Sequence, residues 1–140
     1  MTMRRRHAGA LAVLVASIPL VTGCAPATQP DPALISVVSD LSSAGRSVEL
    51  GLTLNTDGRM MPGTLTTLLD DMTSEMADSV RSLELAHTST KVDAEYRAEA
   101  LSAGRSALDA VHLAQQDHLS DALVSLQRQL DELSHLEGAG

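Results

Sequence analysis

The sequence contains no tryptophan and no phenylalanine, and Tyr96 is its only aromatic residue. Rings that stack on bases, sugars or flat cofactors are therefore almost lacking, and a core has to be built from Leu, Val, Ala and Met. Cysteine is nearly absent too: Cys24 stands alone, so no internal disulfide can form. Positive charge is scarce. Three of the 10 Lys and Arg precede Cys24 and all 18 Asp and Glu follow it, so the part from Cys24 onward sets 7 cations against 18 acids, a net charge of −11. A surface so acidic is a poor match for nucleic acid or anionic lipid headgroups, both of which select a basic face. Long apolar runs are also missing. The run from Ala8 to Val21 falls short of the roughly 20 residues that a transmembrane helix needs, and no later segment supplies them.

Ahead of that run, MTMRRRH places Arg4, Arg5 and Arg6, the order of basic start and apolar centre found in export signals. The run closes on Val21, Thr22, Gly23 and Cys24. This ending resembles the lipobox of bacterial lipoproteins, in which small residues suit the signal peptidase and the following cysteine accepts a diacylglycerol. The resemblance covers the first 24 residues. It implies that residues 1–23 are a signal peptide, that Cys24 becomes the lipidated N-terminus, and that the rest is exported and anchored to the outer face of a bacterial cell membrane, or to an outer membrane where one exists. The arginines lack the further pattern of a twin-arginine signal, so general export is expected.

Residues 24–31 then read CAPATQPD, a Pro-rich extended tether. Asp31 suits an N-cap and Pro32 the first helical position, so residues 32–140 are expected to form the folded domain. Leu34, Val37, Val38, Leu41, Gly45, Val48 and Leu52 recur at helical spacing and predict a first helix from Pro32 to about Leu52. Alternation of Val48, Leu50, Leu52 and Leu54 also fits a strand, but no second alternating run exists to pair with it. The turn-rich NTDGRMMPG, residues 55–63, leads to a second helix from about Thr64 to Ala86. Its inner face carries Leu65, Leu68, Leu69, Met72, Met76, Val80 and Leu83, and its outer face Asp70, Asp71, Asp78 and Arg81. After hydroxyl-rich HTSTKVD, an Ala-rich third helix runs from about Lys91 to Gln116. A fourth, with a stripe of Leu119, Leu123, Leu126, Leu130 and Leu133, runs to about Leu136. Amphipathic helices with short connections and no strand predict an all-α, antiparallel up-down four-helix bundle.

The pentapeptide SAGRS occurs twice, at residues 43–47 and 102–106. Gly45 and Gly104 lie at similar depths in two helices that run parallel in this topology, so either they let those backbones approach in one layer or the repeat is a coincidence of a chain rich in Ser, Ala and Gly. Candidate chemistry is sparse. Glu84 and His87, Asp109 and His112, and Glu132 and His135 each place an acid three residues before a histidine, a spacing that di-iron bundles use when the side chains face inward. Only His87 continues an inner stripe, which leaves Glu84 and His87, with Asp93 nearby, as the candidate metal ligands. Met60 and Met61 in a loop, and Met72 and Met76 on an inner face, raise copper binding, although Met also fills core gaps where aromatics are missing. No GxSxG elbow and no GxxxxGK phosphate loop is present.

These features predict a lipid-anchored helical module that has no chemistry of its own and acts through a protein partner in the envelope or as a structural component. No enzyme activity, cofactor, metal or nucleic acid is expected. The alternative is a metal- or small-ligand-binding lipoprotein.

Overall fold

A computed structural model describes residues 29–139, and the Cys24 lipobox and the signal segment lie outside them. The described part is four helices in sequence, α1 (Pro32–Thr56), α2 (Thr64–Leu85), α3 (Lys91–Gln115) and α4 (Leu119–Ala139). Cross-links fix their directions. Ser42 reaches Glu137 and Glu49 reaches Gln127, so α1 and α4 are antiparallel; Glu84 pairs with Arg105 while Asp70 meets Gln115, so α2 and α3 are antiparallel too. The all-α four-helix bundle is the observed architecture.

α1 and α3 start where a side chain satisfies a free N–H group. The Asp31 carboxylate accepts from Ala33 N–H at 2.8 Å, with Pro32 in the first turn where a missing donor costs nothing. Thr90 and Asp93 form a reciprocal capping box at the start of α3. α1 runs about a turn past its expected end. In its extra residues the Thr53 and Thr56 hydroxyls bond back to the carbonyls of Glu49 and Leu52, and the strand-like alternation is not used: Val48 and Leu52 are buried while Leu50 is 60% exposed. The helix stops at Gly58, in left-handed conformation, where Arg59 N–H bonds Leu54 C=O and Gly58 N–H bonds Asn55 C=O.

The core follows the predicted stripes closely. Leu34, Val38, Leu41, Val48 and Leu52 come from α1, Met76, Val80 and Leu83 from α2, and Leu126, Leu130 and Leu133 from α4. From α3, Tyr96 is joined by Ala100, Ala103, Ala107, Ala110 and Ala114. Each fully buried leucine contributes roughly 1.5–3 kcal/mol. The small residues of α3 shape the cross-section: α1 touches α3 directly across one diagonal, whereas α2 and α4 stay apart on the other.

The repeated SAGRS glycines serve this packing in a way that corrects the expectation. They do not face each other. A Cβ on Gly104 would stand 2.8 Å from Leu41 Cδ2, and one on Gly45 would stand 2.6 Å from Leu130 Cδ2, so each glycine receives a leucine from another helix. Leu41 inserted at Gly104 is what closes the short diagonal. Gly51, which the stripe omits, does the same for Leu68 of α2 beside the first turn.

Candidate functional site

The structure does not bring the candidate metal ligands together. α2 ends at Leu85, and Ala86 turns extended at φ −62° and ψ 130°, so His87 leaves the helical phase that would have carried it inward; it is exposed. This corrects its assignment to an inner stripe. Glu84 is exposed and engaged elsewhere, its carboxylate 2.7 Å from Arg105 Nη2. Asp93, the possible third ligand, is buried and occupied by hydrogen bonds. His112 and His135 are exposed on α3 and α4. Among the described residues no group of three or more His, Cys, Asp or Glu is arranged to hold a metal ion. Met76 is fully buried in the core, and Met61 is 79% exposed in the first loop.

Where the tether joins the bundle, a different arrangement appears. Asp93 Oδ1 accepts from Asp31 N–H at 2.9 Å, a link across 62 residues, while its Oδ2 accepts from Thr90 N–H and Ser89 Oγ, each at 3.2 Å. The Thr90 side chain first, then the Asp31 N–H, hold this carboxyl below its ordinary pKa against the opposing effect of burial. Arg97 adds a bond from Nη1 to the Ala86 carbonyl at 2.8 Å. Pro30, the last proline of the tether, is buried. The start of α1 is thus fastened to the α2–α3 connection through one carboxylate. Sequence reading missed this role for Asp93, although Thr-x-x-Asp ahead of an apolar run is a capping-box signal.

A little above, Tyr96 is 5% exposed and its hydroxyl is buried without a hydrogen-bond partner among the described residues. Burial, and secondarily the charge of Glu137, push its pKa up. The remaining concave features are open grooves between helices. One of about 510 Å³ lies between α1 and α2 and is lined by Asp40, Asp71, Glu75 and Asp78. Another of about 430 Å³ lies between α3 and α4 beside Glu99, Glu132 and His135. A third of about 520 Å³ sits at the far end, near Gly63 and Asp117.

Compared with protein-family models, with curated proteins and with solved structures, the chain matches none. Among the described residues no helix is long and apolar enough to cross a membrane.

Proposed function

We propose that the chain is a bacterial lipoprotein whose diacylated Cys24 holds a four-helix bundle at the outer face of the membrane, and that the bundle acts through contacts with a protein partner of the envelope or as a structural component. The observation that carries this reading is the fastening of the tether's exit. A lipid on Cys24 would connect to the bundle through residues 25–31, a span of up to about 20 Å at roughly 3.1 Å per extended residue. Its last part is seated, with Pro30 buried and Asp31 N–H bound to Asp93. Such a junction gives the tether a fixed exit from one end of the bundle and leaves the helix faces and the opposite end pointing away from the attachment. The bundle's acidic surface suits a protein partner better than anionic lipid.

The test is acylation itself. One acyl chain holds a protein only marginally and stable attachment takes more, so the native chain should incorporate a palmitate analogue and sediment with membranes. Cys24→Ser should lose both the label and the sedimentation; label persisting in that variant rules the anchor out.

A further inference from the structure

The tether end of the bundle differs from the far end in how its charge is held. At the start of α1 and along the α2–α3 connection with its flanking turns, every carboxylate is engaged. Asp31 accepts from Ala33 N–H, Asp93 from the N–H groups of Asp31 and Thr90 and from the Ser89 hydroxyl, Glu84 pairs with Arg105, and Glu95 pairs with Lys91. Arg97 is likewise bonded, to the Ala86 carbonyl. At the far end Asp57, Asp117 and Asp121 are exposed and enter no ion pair among the described residues.

The same tether end leaves a large apolar side chain in water. Leu85, the last residue of α2, is 75% exposed, although Leu83 two residues earlier is fully buried. Pro32 and Ala33 in the first turn of α1 are exposed with it, and Ala86 and Val92 are half-buried. A single exposed leucine is ordinary on a protein surface; this one stands where an anchored chain would meet its membrane. Because Pro30 is buried and Asp31 N–H is bound to Asp93, only six residue steps separate Cys24 from the seated chain. They reach no more than about 20 Å at roughly 3.1 Å per extended residue. Acyl chains on Cys24 would keep this end near the headgroups, while α1, about 37 Å long at 1.5 Å per residue, carries the far end away. Lying on its side would bring the acidic helix faces against an anionic leaflet, which repels them.

We propose that the tether end rests on the lipid bilayer, with Leu85 inserted at the boundary between headgroups and acyl chains, so that the bundle stands upright on its anchor. The engaged carboxylates let this end approach lipid without an unpaired charge to desolvate, and Leu85 adds apolar contact beside the acyl chains. This proposal rests on reading Cys24 as the lipidated residue.

The chain has no tryptophan, so one introduced Trp gives an unmixed signal. Leu85→Trp, Val124→Trp and Met61→Trp, all at exposed positions, are made separately in the full chain, expressed so that it is acylated, purified in mild detergent and reconstituted into phosphatidylcholine vesicles with or without brominated acyl chains. Tm measured in detergent confirms that each variant folds as the native chain does. In brominated vesicles Leu85→Trp should lose about half or more of its emission and be shifted to shorter wavelength, as a ring at the membrane interface is, while Val124→Trp on the side of α4 and Met61→Trp at the far end keep theirs. A bundle swinging free on its tether, or one whose tether end is covered by a protein instead, leaves all three unquenched, and a bundle lying on its side quenches Val124→Trp as much as Leu85→Trp; either result overturns the proposal. Palmitate labelling and flotation with the vesicles are read on the same samples. Labelled, floating protein with an unquenched Leu85→Trp sinks the upright seat and leaves the anchor standing, whereas unlabelled protein sinks both.

Discussion

At the tether end of the bundle, segments far apart in sequence are bound by side chains; at the opposite end, each turn is closed by its own backbone. Asp93 ties Asp31, 62 residues away, to Ser89 and Thr90, and Ser42 reaches Glu137 across 95 residues. The far end closes instead with two matching local turns. Arg59 and Gly58 donate to Leu54 and Asn55 after α1, and His118 and Asp117 donate to Leu113 and Ala114 after α3. α2 begins there behind Gly63 with no side-chain cap. The long links toward that end, from Gln115 to Asp70 and Thr73 and from Gln127 to Glu49, are exposed. A pull on a tether would enter the bundle where its ties are non-local and part-buried, whereas the far loops are free to vary at little cost to the rest.

The comparison breaks most sharply at Asp93. Asp93→Ala leaves the N–H groups of Asp31 and Thr90 and the Ser89 hydroxyl without their acceptor and removes the α3 capping box. The expected result is a larger fall in Tm than any single change at the far end produces, with amide exchange accelerated first at Asp31 and Thr90. The pH dependence carries a definite sign. Because the folded carboxyl titrates below the ordinary aspartate value of 3.8, its contribution is present above that value and is lost as pH falls through the lower folded one. The Tm gap between the native chain and Asp93→Asn should therefore stay constant toward neutrality and narrow in acid. A gap unchanged into acid would mean that the carboxylate's charge has no part in the tie.

The Asp93 hub shows where sequence reading stops. Helix number, phase and core stripes were legible because Leu, Val and Ala recur at helical spacing in every element and little else competes for the interior. The Thr90–Asp93 box was legible in principle. Its bond to Asp31 was not, because nothing in a one-dimensional pattern brings residues 62 apart together. His87 fails for the opposite reason: extrapolating the periodicity of α2 placed it inside, but the chain leaves the helix at Leu85 and the phase no longer applies. The acids of the groove were visible as an outer face, yet their confrontation with Asp40 depends on how α1 lies against α2. The paired glycines were visible as an echo, and only the packing reveals that each accepts a leucine rather than another backbone.

The far end should respond to smaller and opposite changes. Its two turns place a residue in left-handed conformation, Gly58 at φ 66° after α1 and Asp117 at φ 65° after α3. That region costs a residue with a Cβ about 1–2 kcal/mol. Gly58 has open space around it, so Gly58→Ala should lower stability by about 1 kcal/mol through backbone strain alone. Asp117→Gly should raise it by up to about 1 kcal/mol, since the relief is partly offset by the greater freedom of glycine in the unfolded chain. Denaturant midpoints at unchanged slope measure both. If the two substitutions shift stability in the same direction, the far end is not held by its backbone turns as described.

The smallest expected effect lies at Tyr96, and it sharpens the account of the tether end. The ring is buried in the core, but its hydroxyl has no partner among the described residues, so it bears a desolvation cost with no bond in return. Replacing both a polar group and its unmet need by an apolar edge is nearly neutral or stabilising. Tyr96→Phe should accordingly leave stability unchanged or raise it by up to about 1 kcal/mol, read from the urea midpoint. A loss of more than about 1 kcal/mol would show that the hydroxyl is bonded in solution. The charge of Glu137 is already felt at this phenol, and Glu137 already accepts from Ser42. A bond from Tyr96 to that carboxylate would join α1, α3 and the last turns of α4, and the tether end would hold a second carboxylate hub beside Asp93.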